Sequence, residues 1–548
     1  MFARSRRRVA IAAAGLLTLS LVACSEGDDS SDSDLSANRV GAMGDYKAGD
    51  QFKATEAVKF SVLYNNHPNY PLKEDWLFWT ELNKRTNVTF EPVAVPLSDY
   101  EQKRSLLIGA GDAPFIIPKT YPGQEDAYVS SGAILPVSDY LDLMPNLQDK
   151  ISKWSLQPEI NTLRQADGKF YLLPGVHEKP WHDYSLAMRT DILEQLNLEV
   201  PKTWDELYTV LKAMKASNPD PSFYPFSDRF SKPNPAGNLL NVLAMSYGLE
   251  GAGWNFQHIS WDANAKKLFY TGASEQYKQM LTYLNKLVKE KLLDPESFTQ
   301  TDDNARQKLT NGKSYVISAN AQTLVNENRP DLAKTNPKAT LTKIPLPIGP
   351  AGEINPTLRL ENGIMISKSA RDSKNFVAMM QLVDWLWYSD AGQEFARWGV
   401  EGTTFTKDGS GKHQLAPDVN VIGLRPNAPK HLQKDFGFYN GIFAYAGKPE
   451  LVQSFFSPEE QEFQKVMNAR TPRVVPPPYP FTDEEREQVS LWETPLKDFV
   501  YQAALQFILG QRDLAQWDAY LAELKAKNMD SYMDLVTKAY ERYQKEHG

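Results

Sequence analysis

Along "AVKFSVLYNN" the apolar residues Val58, Phe60, Val62 and Tyr64 fall on every second position, the period of a half-buried strand. "LKEDWLFWTELNKRT" shifts to helical spacing through Trp76, Trp79 and Leu82, and "NVTFEPVAV" returns to strand character. Strand, helix and strand in so short a span predict a βαβ unit and a parallel sheet.

Helix starts are marked further on. "SDYE" (Ser98, Glu101) and "TWDE" (Thr203, Glu206) read as capping boxes, which satisfy the free amides of a first turn. Leu207, Val210, Leu211 and Met214 form an apolar stripe behind the second. Phe376, Met379, Met380, Val383, Leu386 and Trp387 form another, and Leu514, Trp517, Leu521 and Leu524 a third. Such stripes are core-facing. No solenoid period recurs. The fold class predicted is α/β, with a mainly helical C-terminal region.

The start of the chain follows other rules. In "MFARSRRRVA" four arginines precede "AIAAAGLLTLSLVA", an apolar run too short to span a bilayer comfortably. Residues 1–23 therefore read as an export signal rather than a transmembrane anchor. "LVACS" holds Cys24, the single cysteine among 548 residues. Leu21 to Cys24 resembles the lipobox of bacterial lipoproteins, in which the thiol is lipidated and the chain is cut just before it. "SRRRVA" also resembles the twin-arginine export pattern, so the Sec and twin-arginine routes both stay open. Residues 24–55, rich in serine, aspartate and glycine, bury too little to offset ordering entropy and read as a lipidated cysteine with a flexible tether.

Composition agrees with that address. A lipidated Cys24 leaves no thiol for a disulfide, so stability must come from the core, which this length supports across two domains or more. The formal charge of -8 becomes about -12 once Arg4, Arg6, Arg7 and Arg8 are removed. That balance argues against nucleic acid, which needs clustered Lys and Arg.

Searches for catalytic chemistry mostly fail. In "HEKPWH" the second histidine lies five residues on and Pro180 intervenes, so the two imidazoles share no helical face for zinc. "GLEGAGWNF" lacks the phosphate-loop pattern and the last glycine of a dinucleotide fingerprint. There is no G-x-S-x-G elbow, and no pair of carboxylates stands out. Aromatic residues in loop-like settings are abundant instead: Trp254 and Phe256, Trp181 and Tyr184, Phe436, Phe438 and Tyr439. Each is either a plug over a core edge or a stacking platform. Their number, with interleaved amides and acids, fits a polar-rimmed aromatic cleft of the kind that suits sugar rings.

"SSGAILPVSDYLDLMPNL", "ADGKFYLLP", "AMRTDILEQLNLEVPKTWDELYTVLKAM" and "SDAGQEFARWGVEGTTF" resemble, in this order, extracellular solute-binding proteins of ABC importers. The ending "FILGQRDLAQWDAYLAELKAKNMDSYMDLVTKAY" is similar to the lipoprotein branch with aldouronate- and alginate-type oligosaccharide binders. The resemblance runs from residue 56 to the end. It implies two α/β lobes in a periplasmic-binding-protein-like fold, joined by crossing hinge strands, with ligand between them. It also implies a monomer tethered to the outer face of the cytoplasmic membrane, with permease subunits as partners, and neither cofactor nor enzymatic activity. Two departures stand out. "KASNPDPSFYPFSDRF" lacks the calcium-loop pattern found in related binders, and calcium needs six or more oxygen ligands, so no metal site is expected. Phe115 replaces an aspartate common in relatives.

On this basis lobe 1 takes residues 56–177 plus about 357–405, lobe 2 takes 178–356, and 406–548 packs across both. Ligands in open α/β sheets sit beyond the carboxyl ends of strands. That rule nominates Asn65, Asn66 and His67, Lys119 and Thr120, Asn320 and Gln322, and Arg359 and Glu361. Trp181 and Trp254 are nominated as stacking platforms; Trp398 and Glu401 rank as structural. An oligosaccharide-delivering lipoprotein is the leading reading, ahead of a lipoprotein binding peptide or another solute, and of a surface carbohydrate-processing enzyme with two facing carboxylates.

Overall fold

The computed structural model describes residues 35–229, 237–253 and 256–547. The predicted signal, Cys24 and Trp254 lie outside them. Eight strands build the two main sheets: β1 (Val58–Asn66), β2 (Val88–Pro96), β3 (Ile116–Thr120), β4 (Leu173–Val176), β5 (Ser185–Arg189), β6 (Val316–Ala319), β7 (Leu341–Lys343) and β8 (Leu360–Ile366). The helices that matter below are α1 (Leu77–Thr86), α2 (Trp204–Ser217), α3 (Phe376–Tyr388), α4 (Asp483–Ile508) and α5 (Met529–His547).

The first sheet has the order β2-β1-β3-β8-β4. β1 runs parallel to β2 and β3, with α1 between β1 and β2 in the chain. β8 returns antiparallel between β3 and β4, pairing Glu361 with Gly175. The second sheet is β6-β5-β7, all antiparallel. Each sheet sits in its own hydrophobic core. Residues 52–176 and 364–455 supply the first; residues 186–346 and 463–539 supply the second, including a small cluster under β5 and β6.

The chain therefore passes between the cores three times, near residues 177–185, 347–360 and 456–463. His182 ties these passages together. Its Nδ1 lies 2.7 Å from Thr357 Oγ1, its backbone N–H donates to Gln464 Oε1, and its carbonyl accepts from Gln464 Nε2 at 2.7 Å. Trp181 packs against Phe456 on the third passage at 5.4 Å.

Several expectations need correction. Residues 35–55 are not a free tether: Phe52 is fully buried, Ala54 donates to Thr86, and Asn38 Nδ2 donates to the carbonyls of Arg371 and Ser373. The stretch after residue 405 does not lie across both lobes as one piece. Its first fifty residues join the first core and the helices beyond join the second. The capping box at Ser98 does not form, because a 3-10 turn over Leu97–Asp99 precedes the helix and Leu97 O already takes the Tyr100 amide. At α2, Thr203 Oγ1 accepts from the Glu206 amide, but the Glu206 carboxylate takes the Lys202 amide instead of closing the box. A full box occurs at Thr482 and Glu485, which start α4. The α3 stripe understates its burial: all thirteen residues are buried, because the helix runs through the first core rather than over it.

Candidate functional site

The carboxyl ends of β1, β3 and β6 and the start of β5 converge on the space between the lobes. From lobe 1 come Lys119 and Tyr121 after β3, Glu361 on β8, and Arg397 with Tyr439 behind them. From lobe 2 come Asp183 and Tyr184 before β5, and Asn320 after β6. Lys119, Tyr121, Asp183, Glu361 and Tyr439 are hemmed in by protein yet keep solvent access; Tyr121 leaves 50% of its surface exposed. Packed surroundings with open access are what the wall of a deep cleft provides. The two sides feel each other across it: burial raises the Tyr121 phenol, and the charges of Glu361 and Asp183 add to that rise.

Lys119 is held in an uncommon way. Its φ is +55°, a backbone region that costs non-glycine residues energy and recurs at functional sites. Its carbonyl accepts from Arg104 Nη1 at 2.6 Å, which fixes the turn. A Cβ on Gly441 would stand 2.5 Å from Tyr70 Oη and 3.0 Å from Lys119 Nζ, so only glycine there leaves both groups their room. Burial pulls the ammonium below its ordinary pKa, opposed by the charge of Glu361. Among the described residues, no hydrogen-bond acceptor is in reach of Lys119 Nζ.

The two carboxyls are set in opposite directions. Burial works against ionisation of Glu361, but a 2.9 Å hydrogen bond to His177 Nε2 and the charges of Lys119 and Arg397 outweigh it and hold the group below its usual range. Asp183 is pushed up by burial, against Lys343 and a 3.4 Å bond from Asn320 Nδ2. Arg397 donates to the Ala446 carbonyl, while its Nε is buried without a partner and its guanidinium lies 5.9 Å from the Tyr439 ring.

The other nominated residues divide. Asn320 caps the turn after β6 through Thr323, and Gln322 beside it is half-buried. Asn65 is buried with its Oδ1 unpartnered, and His67 stacks on Tyr70 at 4.7 Å. Asn66 accepts the Leu72 amide, and Thr120 is fully buried beside Arg104. Arg359 is turned away: its guanidinium binds Glu159 at 2.6 Å and the carbonyls of Trp154 and Ser155. It clamps β8 to the lobe beneath, which commits three of its five N–H donors to protein. Trp181 is wedged between His177 and Phe456 at the hinge. Of the loop aromatics, Phe256 and Phe438 are core plugs, against Tyr501 and against Phe78 and Phe395. Trp398 is buried, as its structural ranking anticipated. After α2, Asp220 pairs with Lys313 and accepts from Ser222.

Tyr121, Asp183 and Arg397 were missed. Tyr121 stands one residue past the strand-end pair Lys119–Thr120, so the same rule read one position further would have found it. Asp183 and Arg397 gave no local signal, since the hinge and a distant helix deliver them.

Two α/β bodies joined by crossing segments, with aromatic and charged groups from both facing an intervening cleft, define a two-lobe ligand-binding protein. The chain belongs to the family of bacterial extracellular solute-binding proteins, whose model matches residues 69–394. It is 24% identical over 530 residues to the fructooligosaccharide ABC transporter substrate-binding protein FusA of Streptococcus pneumoniae, covering 91% of this chain and 93% of that one. It is 27% identical over 286 residues to the polygalacturonan/rhamnogalacturonan-binding protein YtcQ of Bacillus subtilis, covering 51% and 52%. Among solved structures, alginate-binding protein AlgQ2 without calcium superposes with a TM-score of 0.66 at 20% identity, over 90% of this chain and 99% of that one. An extracellular solute-binding protein from Bifidobacterium longum subsp. infantis gives 0.67 at 17%, over 90% and 99%. These relatives are binding proteins. No helix among the described residues is long and apolar enough to cross a membrane.

Proposed function

We propose that this protein captures an extracellular oligosaccharide between its lobes and hands it to the permease of an ABC importer. The observation that carries this reading is the pairing of aromatic faces (Tyr121, Tyr184, Tyr439) with charged groups (Lys119, Glu361, Asp183) from both lobes at one cleft. A sugar ring offers an apolar C–H face and an edge of hydroxyls, and this wall meets both. The names of its relatives, fructooligosaccharide-, polygalacturonan- and alginate-binding, support the ligand class. Lys119 and Glu361 are the proposed primary contacts, with Asn320, Gln322, Asn65 and His67 around them. Cys24 is the proposed lipid anchor, holding a monomer at the outer face of the cytoplasmic membrane. Binding without turnover is the proposed activity.

One observation favours a second reading. Facing carboxyls with pKa values moved apart are also how a glycosidase divides acid and base roles. A thermal-shift screen against neutral and acidic oligosaccharides, with peptides as a control panel, separates the possibilities. A cognate sugar at a hundredfold excess over Kd adds about 2.7 kcal/mol. Lys119→Met is expected to lose roughly ten- to a hundredfold in affinity, the range for a charged hydrogen bond, without lowering the ligand-free melting temperature. Stabilisation by peptides alone, or release of shorter sugars on long incubation, would overturn the reading.

A further inference from the structure

A cavity of about 620 Å³ lies between the lobes beside the cleft. None of the ten described residues nominated as ligand contacts from the sequence lines it. Lobe 1 contributes the loop after β3 from Pro122 to Ala127 and the turn at 162–165; lobe 2 contributes residues around 257–261 and the helix α4. The segment 476–480, four prolines around Tyr479, forms one wall. Two of its lining residues are close in the chain to cleft residues: Pro122 follows Tyr121, and Leu358 stands three positions before Glu361. A cavity of about 150 Å³ holds a benzene ring, so this one is roughly four times larger and lies within the usual size of ligand pockets.

We propose that this chamber is an extension of the ligand cleft that takes further units of a neutral oligosaccharide and discriminates against uronic acids. The proposal rests on the oligosaccharide reading above and adds the ligand's length and charge.

The chemistry of the walls carries it. Prolines have no N–H to donate and present ring C–H faces and carbonyls; Trp261 and Tyr479 add flat apolar surface. Four carboxyls stand among the polar lining groups, those of Glu125, Asp126, Glu250 and Glu493. Ionised carboxyls want a ligand that brings donors, and sugar hydroxyls do. A uronate would bring more acceptors and negative charge. The two lining arginines already face protein acceptors. Arg486 bonds Asp126 at 3.0 Å and Gln165 at 2.7 Å, and Arg164 bonds Asn161 and Gly168. The acids are largely compensated too, which favours a neutral ligand over a cation. Asp126 faces Arg486 and Glu250 pairs with Arg473. Glu493 accepts from Tyr532 at 3.1 Å. Burial, with Asp126 beside it, pushes Glu125 up to about 8.

Ser490 is exposed on α4 and lines the chamber, so Ser490→Trp fills the space without disturbing a core; Trp261→Ala removes a wall instead. Calorimetric titration with fructo-oligosaccharide and oligogalacturonate ladders reads the outcome. In the unmodified protein the neutral ladder is expected to gain at least about tenfold in affinity over its shortest binding member, and the acidic ladder to gain nothing from added units. Both variants are expected to remove the neutral gain while leaving the shortest ligand's affinity unchanged. A length gain that survives both variants, or an equal gain for oligogalacturonates, overturns the chamber assignment while short-ligand binding keeps the cleft reading intact. Absence of binding by every oligosaccharide overturns both.

Discussion

His182 shows how much one side chain is asked to do at the hinge. It is 1% exposed, bonded to two other passages of the chain, and its Nε2 is buried without a partner. Burial, with Lys343 and Arg470 nearby, lowers its pKa from 6.5 to about 3. Above the ordinary value the imidazole is neutral folded or unfolded, and its protonation contributes nothing. Below it the unfolded chain binds a proton that the folded chain refuses, so stability is lost progressively from about pH 6.5 down towards 3. His182→Gln is expected to be less stable than the parent at neutral pH. The gap is expected to narrow by roughly 1.4 kcal/mol per pH unit through the acid window. Denaturant unfolding at several pH values between about 7 and 4 measures it, and a constant gap would mean that the folded imidazole takes up the proton.

At the scale of elements, the strand-helix-strand start, the α2 stripe and the α/β class were legible because each depends on neighbours in sequence. Residues 35–55 were not. Their composition is that of a solvated tether, but their order comes from remote partners. The Met43 amide donates to Gln381, Tyr46 Oη to Asp384, and the Gly49 amide to Asn146. No local pattern announces bonds to residues 97 and 338 positions away. Phe52 tests the point. Phe52→Ala is expected to cost about 3–5 kcal/mol, the range for emptying a buried aromatic site, and to lower the melting temperature of the ligand-free protein. A tether residue would tolerate the change silently. The ion pair of Arg359 was hidden for a related reason: strand position is readable, but the direction of a long side chain depends on Glu159, two hundred residues earlier.

At the scale of the molecule, the two cores face each other across the cleft, and Arg486 on α4 reaches over to Asp126 and Gln165 of the other lobe. The bridge is partly exposed, so solvent screens it and its worth is at most about 1 kcal/mol. That is still enough to bias a balanced equilibrium between open and closed forms several-fold. Arg486→Ala is expected to give a larger ligand-free radius of gyration by small-angle scattering than the parent. Saturating oligosaccharide is expected to bring both to the same value. Identical ligand-free profiles would leave the bridge without a part in setting the resting shape. The cleft itself was half legible. Strand ends nominated Lys119, Asn320 and Glu361, the contacts proposed above, while Asp183 and Arg397 arrive through the hinge and through α/β packing that no single stretch encodes.

The three passages pinned at His182 have a mechanical consequence. A body joined to another by one strand can swing in any direction, but three strands held together leave it a single axis of rotation. The jaws then travel one path, whatever fills them and wherever along the groove it sits. A short sugar and a long one end in the same outer contour. Anything that docks on the outside would be told that a cargo is aboard, and nothing about which.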